Sequence, residues 1–231
     1  MTARPAAPIR AAAAVAAAGL TAVLALASCE DEVAEQLIGV SASELLTAAA
    51  DEMAGVQTVR VQVEADAEVA DLPVHAVDGQ VTRAGDAAGT VQVEQFDQLM
   101  ELEFVVVGDE FHYRLVGGWQ QLPRAEAADL YDPSAILDPD RGVAHLLRTA
   151  SDAELDGTEA VAGVDTYRVT ARFDPDAAAA LLPGATGELT GTLWIGADPA
   201  LLHRAEFTSP ELGAATVRLS DFNAPADISA P

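Results

Sequence analysis

The side chains with chemistry to offer are few. There is one cysteine, Cys29, and it follows Leu26-Ala27-Ser28 at the end of an apolar run. An aliphatic residue, two small residues and then a cysteine is the pattern of a bacterial lipobox. In it the thiol takes a diacylglycerol and the signal is cut just before the cysteine. The four histidines, His75, His112, His145 and His203, are scattered, and His112 and His203 fall at strand positions expected to face solvent. Asp132, Asp138 and Asp140 hint at a calcium loop. Asp138-x-Asp140-x-Gly142 is only a fragment of one, however, and it lacks the later bidentate Glu. Helix capping accounts for Asp132 and Asp138 without a metal. No nucleophile elbow, zinc-protease pair, phosphate loop or dinucleotide fingerprint is present. With Cys29 committed to an anchor, the sequence assigns no catalytic residue, no metal ligand and no cofactor. Trp119 and Trp194 are read as core or rim residues.

The segments around Cys29 support its role. Residues 1–28 read as a lipoprotein signal peptide: Arg4 and Arg10 make a basic start, and Ala11 to Ala27 is almost wholly apolar. That run is short for a bilayer span, which takes roughly 20 residues. Residues 29–40, with Glu30, Asp31, Glu32 and Glu35, read as an acidic tether whose like charges extend it. Residues 41–231 are expected to form a single domain. The expected location is the cell membrane, lipid-anchored on its extracytoplasmic face. Two or three acyl chains, at about 0.8 kcal/mol per buried CH₂, hold there without a membrane span.

The 231-residue chain has 12 basic and 37 acidic residues, a formal net charge of −25, and every basic residue is Arg. Such a surface excludes nucleic acid, whose phosphates need cationic partners. It also excludes electrostatic docking on anionic lipid heads. A single cysteine permits no internal disulfide, so packing alone must hold the fold.

Periodicity supplies the elements. Ser41 with Glu44 forms a capping box, and Leu45, Leu46, Ala49 and Met53 make one apolar helix face that Gly55 ends. The period then drops to two. Val59, Val61 and Val63 alternate with polar residues, and so do Val91 and Val93, then Leu102, Phe104 and Val106, then Phe111, Tyr113 and Leu115. Asp78-Gly79 is read as a tight turn or a bulge in the Val74–Arg83 strand, and Gly108-Asp109 as a hairpin turn. Trp119 to Leu130 is less regular. In Tyr131–Leu147, each Asp-Pro pair signals a helix start: a short turn over Pro133–Leu137 and a helix over Pro139–Arg148. Ile136, Leu137, Val143, Leu146 and Leu147 would make one apolar surface. Strands resume over Ala153–Ala162 and Tyr167–Phe173. Asp174-Pro175 opens a third helix, stopped by Pro183-Gly184. The last strands are Gly187–Ile195, Leu202–Phe207 and Ala215–Phe222, with Asp198-Pro199 as a turn. The architecture is a long antiparallel sheet with a few helices over its apolar face, an α+β arrangement. On residue types alone, the inward side chains favour a solid core over a ligand cavity.

The stretch Tyr131 to Leu147 resembles the matching segment of the LppX/LprA/LprF/LprG family of actinobacterial envelope lipoproteins, nearest its LprG branch. The lipobox at Leu26–Cys29, Trp119, Gly157 with Val161-Ala162-Gly163-Val164, Leu193-Trp194-Ile195 and Leu219-Ser220-Asp221-Phe222 fall in family order. The resemblance implies a strongly curved antiparallel half-barrel with helices over its concave face enclosing an apolar cavity. It implies no enzymatic activity. It implies binding of acylated lipids or lipoglycans and help in carrying them to the outer cell envelope, in some members beside a major-facilitator efflux pump. The cavity lining would then be Leu45, Leu46, Met53, Val59, Val61, Val63, Val91, Val93, Phe104, Val106, Phe111, Leu115, Ile136, Leu137, Val143 and Leu146. His145 and the lack of lysine depart from the family pattern. The alternative is a cell-surface scaffold lipoprotein on the same fold, with a filled core and no ligand.

Overall fold

The computed structural model describes residues 40–69, 72–95, 98–128, 132–178, 182, 187–210 and 213–231. The expected signal peptide, Cys29 and the expected tether up to residue 39 lie outside the described residues, as do Tyr131 and Pro183-Gly184.

Helix α1, Ala42–Gly55, starts as its sequence requires. The Ser41 Oγ accepts from the Glu44 N–H at 3.2 Å, and the Glu44 carboxylate accepts from the Ser41 N–H at 3.2 Å. The Ser41 hydroxyl also donates to the Glu44 carboxylate at 2.6 Å, and it, followed by the Ser41 N–H, holds that carboxyl below its ordinary pKa. The other end is capped from a distance. The Arg83 guanidinium donates to the carbonyls of Ala54 at 2.7 Å and Val56 at 2.6 Å, placing a cation on the negative end of the helix.

Among the described residues eleven strands follow, all antiparallel, in one sheet. A first meander comprises β1 (Thr58–Val69), β2 (Leu72–Thr82), β3 (Ala87–Gln95), β4 (Gln98–Val107), β5 (Glu110–Arg114) and β6 (Gln120–Pro123). A second comprises β7 (Ser151–Val161), β8 (Val164–Phe173), β9 (Leu189–Gly196), β10 (Leu202–Ser209) and β11 (Gly213–Ser220). The spatial order β6-β5-β4-β3-β2-β1-β11-β10-β9-β8-β7 joins the meanders through β1 and β11, where Val61 faces Leu219 and Val63 faces Val217. The result is an α+β half-barrel with two open edges, β6 and β7. The connection between the meanders carries α2 (Arg124–Ala128), a 3₁₀ turn (Pro133–Ala135) and α3 (Val143–Thr149); α4 (Pro175–Ala178) lies between β8 and β9.

Several expectations need correction. Asp78-Gly79 is neither a turn nor a bulge: β2 runs through it, and the register shifts fall at Glu64/Ala67 and Val74/Ala76. Gly79 and Gly89 face each other across β2 and β3, so close that a Cβ on Gly89 would stand 2.3 Å from the Asp78 carbonyl oxygen. The glycine serves close backbone approach rather than chain reversal. The Pro139–Arg148 helix is shorter, beginning at Val143. Asp138 instead closes a turn, accepting from the Asp140 N–H at 2.9 Å and from Arg141 at 3.1 Å, and those bonds lower its pKa. Gly142 then tucks against the 3₁₀ turn, where a Cβ would lie 2.2 Å from the Ile136 carbonyl oxygen. The irregular Trp119–Leu130 stretch contains β6 and α2. Phe222 lies past β11, its ring edge-on to His203 at 5.3 Å. Neither histidine expected to face solvent does so fully. His112 is buried with its Nε2 3.2 Å from Glu110, and His203 is half-buried, which lowers its pKa.

Asp132 caps the 3₁₀ turn as its sequence implies, accepting from the Ser134 N–H at 3.1 Å. Asp174 does the same for Asp176 ahead of α4. Trp194 is buried on the outer face of the sheet. Its Nε1 donates to Glu159 at 2.9 Å, and the Arg204 guanidinium lies 4.5 Å from the ring centre.

Candidate functional site

Strand register fixes which side chains share the helix-covered face, because directly opposed residues point the same way. From β1 to β5 one row is Val59, Val81, Ala87, Val106 and Phe111. The next is Val61, Gly79, Gly89, Phe104 and Tyr113, and the next is Val63, Val77, Val91 and Leu102. On the other side the same face carries Leu219 and Val217 on β11, Ala205 and Phe207 on β10, Leu193 and Gly191 on β9, and Val169 and Ala171 on β8. In these rows the only polar side-chain atom is the Tyr113 hydroxyl, and it is turned to Gln120 at 2.9 Å. An apolar face of this width has no proton donor or acceptor array for catalysis; its chemistry is burial of hydrocarbon.

The two sides of this face differ in cover. Over β1 and β8–β11, α1 and α3 pack against each other and the sheet in one cluster that includes Met53, Leu146, Leu147, Leu193, Phe207 and Val217, all nearly inaccessible. Over β2–β5 the apolar residues are of the same type, yet Val77, Val91, Leu102, Phe104, Phe111 and Tyr113 are only half-buried. Their aromatic members form a ladder: Phe104 and Phe111 lie parallel with centres 6.4 Å apart, and Tyr113 follows Phe111 at 5.9 Å.

The residues singled out from sequence divide along this line. Leu45, Leu46, Met53, Val59, Val61, Val106, Ile136, Leu137, Val143 and Leu146 are buried in the packed cluster. Val93 is buried on β3. Val63, Val91, Phe104, Phe111 and Leu115 are half-buried. Four further half-buried residues share the exposed part: Val77, Met100, Leu102 and Tyr113. Leu102 and Tyr113 already keep the strand period. Val77 keeps it with Gly79 and Val81, but the register shift at Val74/Ala76 puts it out of step with Val74.

The sheet end near the β2–β3 turn is closed. Gly85, at φ +90°, lies so close to Arg124 and Ser134 that a Cβ there would clash with both. Arg124 in turn approaches Asp132 at 3.7 Å. Among the described residues, no group of three or more His, Cys, Asp and Glu side chains gathers as a metal site would need. No described helix is long and apolar enough to cross a membrane.

The sequence profile of the LppX/LprAFG lipoproteins matches residues 41–228. The chain belongs to this family. A protein of Mycolicibacterium hassiacum named lipoarabinomannan carrier protein LprG is 33% identical over 228 residues, covering 94% of this chain and 97% of the relative. The protein of that name from Mycolicibacterium smegmatis is 32% identical over 180 residues, 76% of each chain. Among solved structures, LprF of Mycobacterium bovis superposes with a TM-score of 0.73 at 26% identity, covering 82% of this chain and 96% of that one. LppX of Mycobacterium tuberculosis, at 23% identity and a TM-score of 0.62 over 82% of this chain and 100% of that one, shares the fold. The two LprG relatives are named carriers, and the present chain stands with this family among envelope-associated lipoproteins that are not enzymes.

Proposed function

We propose that this protein is a membrane-anchored carrier that holds acylated lipids or lipoglycans against the apolar face of β2–β5 and aids their passage to the outer cell envelope. The observation that carries this reading is the half-buried, uncharged surface of Val77, Val91, Leu102, Phe104 and Phe111 in a chain whose relatives are named carriers. Leaving that much hydrocarbon in water is costly, at roughly 25 cal/mol per Å². An acyl chain laid along it removes the cost and needs no hydrogen bond from the face. The packed half, with α1 and α3, then serves as the rigid wall of the site.

In this reading Cys29, acylated, anchors the single domain of residues 41–231 to the plasma membrane on its extracytoplasmic side, and residues 29–40 tether it. An anchored domain on so short a tether hands its lipid to a nearby acceptor, for which a major-facilitator efflux pump is one suitable partner. Native mass spectrometry of protein purified from an actinobacterial host is the test. The expected result is protein carrying one or more multi-acylated lipids. Folded protein with no lipid adduct, and no uptake of a fluorescent acyl lipid, would overturn the reading.

A further inference from the structure

One row of the helix-covered face changes character as it crosses the sheet. Register links Leu219, Val61, Gly79, Gly89, Phe104, Tyr113 and Gln120, one residue each from β11, β1, β2, β3, β4, β5 and β6. Leu219 and Val61 are 2% and 4% exposed, and Gly79 is buried. Gly89, Phe104 and Tyr113 are half-buried, and Gln120 is exposed. Exposure and polarity rise together toward the β6 edge, from hydrocarbon through aromatic rings to an amide.

The middle of the row suits hydrocarbon. Gly79 and Gly89 bring no side chain, and the Phe104 ring reaches over Gly79, its Cζ 3.4 Å from where a Cβ would stand. Phe111 and Tyr113 continue the aromatic ladder toward β6. The neighbouring row beside the β2–β3 turn, with Val59, Val81, Ala87 and Val106, is closed at 0–4% exposure.

The outer end of the row suits a polar group. The Tyr113 hydroxyl donates to the Gln120 Oε1 at 2.9 Å. Among the described residues, that leaves the phenol oxygen able to accept and the Gln120 amide able to donate twice. No free cation stands with them. Arg114 opposes Glu103 on the other face of the sheet, binds it at 2.6 Å and lies 5.0 Å from the Trp119 ring centre. Arg124 approaches Asp132 at 3.7 Å, at the closed end. An amide and a phenol match the hydrogen bonds of a hydroxyl group, whereas a phosphate brought here would meet no counter-charge.

We propose that Tyr113 and Gln120 are the specificity-determining pair of this face: they hold an uncharged, hydroxyl-bearing lipid head at the β5–β6 margin, with the acyl chains running inward across β4, β3 and β2. The inference rests on the carrier reading above and gives the ligand a direction. Burial of hydrocarbon draws the chains toward Gly89 and Gly79. The cost of burying a hydroxyl without a partner keeps the head at the polar end of the row.

The test displaces a fluorescent acyl probe from the mature protein with three dioctanoyl lipids that differ in the head: galactosyl diacylglycerol, the same lipid with its sugar hydroxyls methylated, and phosphatidic acid. The galactosyl lipid is expected to bind about tenfold tighter than either of the others, as two added hydrogen bonds allow. The Tyr113→Phe/Gln120→Leu double variant is expected to bring both ratios close to one. It removes the two partners together and leaves neither unpaired, and its thermal melt verifies the fold. Gln98, exposed at the start of β4, shares this face by register, and Gln98→Leu is expected to keep the tenfold ratios. A double variant that keeps the ratios, or a parent that binds the methylated lipid or phosphatidic acid as tightly as the galactosyl lipid, would overturn the head site and leave the carrier reading standing. Ratios lost in Gln98→Leu instead would overturn it as well, by moving the head to the β3–β4 end. Failure of the parent protein to take up the probe would overturn both readings.

Discussion

The packed and the open halves of the helix-covered face are built from the same residue types. Val217, Leu193 and Phe207 on β9–β11 face the helix side at the strand period, as Val77, Leu102 and Phe104 do on β2–β4. The difference lies in what covers them. Two helices held together by apolar contact and by the Arg148–Asp51 pair at 3.3 Å cover the first group. Among the described residues, no further helix as long as α1 covers the second, and α2 and the 3₁₀ turn reach its closed end. A stretch of sequence therefore shows that a strand residue points inward, but not whether anything meets it there.

That contrast predicts unequal costs for equal substitutions. The largest effect is expected from Phe207→Ala, which empties a fully buried position edge-on to Phe173 at 5.4 Å. It should lose about 3–5 kcal/mol in urea unfolding, whereas Phe104→Ala should lose under about 2 kcal/mol because part of its ring is already exposed. Equal losses would erase the distinction between the halves. A bulky substitution gives the next contrast. Val217→Trp overpacks the closed side and should cost about 1–3 kcal/mol or more. Val77→Trp should change stability by less than about 1 kcal/mol yet abolish uptake of an acyl probe, as it fills the space the ligand would use.

Smaller effects sharpen how the packed half is held. Arg83→Ala leaves the Ala54 and Val56 carbonyls without their guanidinium donor and should cost about 1–2 kcal/mol. Hydrogen exchange should show the loss in the last turn of α1, with β3 and β4 unchanged. The smallest effect is a pH dependence. Burial depresses the pKa of His203 below 6.5, so the unfolded chain takes up the proton first as pH falls. The stability contributed by keeping His203 neutral is present above about pH 6.5 and is lost from there down to the folded pKa. His203→Gln should flatten the unfolding curve in that window, and an unchanged slope would show that the imidazole does not titrate between the two states.

Much of the frame was legible in the sequence. The Ser41/Glu44 box, the period-two strands and the Asp132 and Asp174 caps are local, so neighbouring residues suffice to read them. Readings that depended on remote partners failed. Gly79 is explained by Gly89 across the sheet, His112 is buried rather than solvated, and the start of α3 is set by where Gly142 meets the Ile136 carbonyl. Val77 escaped notice because the shift at Val74/Ala76 puts it out of step with Val74, where the strand begins to alternate. The division of the lining residues into packed and half-buried sets depends on helix placement, which no strand encodes.

The central claim is that the half-buried face of β2–β5, and not the packed half, holds the acyl chains. A lipid carrying a photoreactive group along its acyl chain tests it most directly: the lipid is bound to the mature protein, irradiated, and the attachment sites are mapped by mass spectrometry. The expected attachment sites are Val77, Leu102, Phe104 and their neighbours on β2–β5. Attachment confined to β8–β11, or a bound lipid that attaches to neither half of this face, would contradict the account.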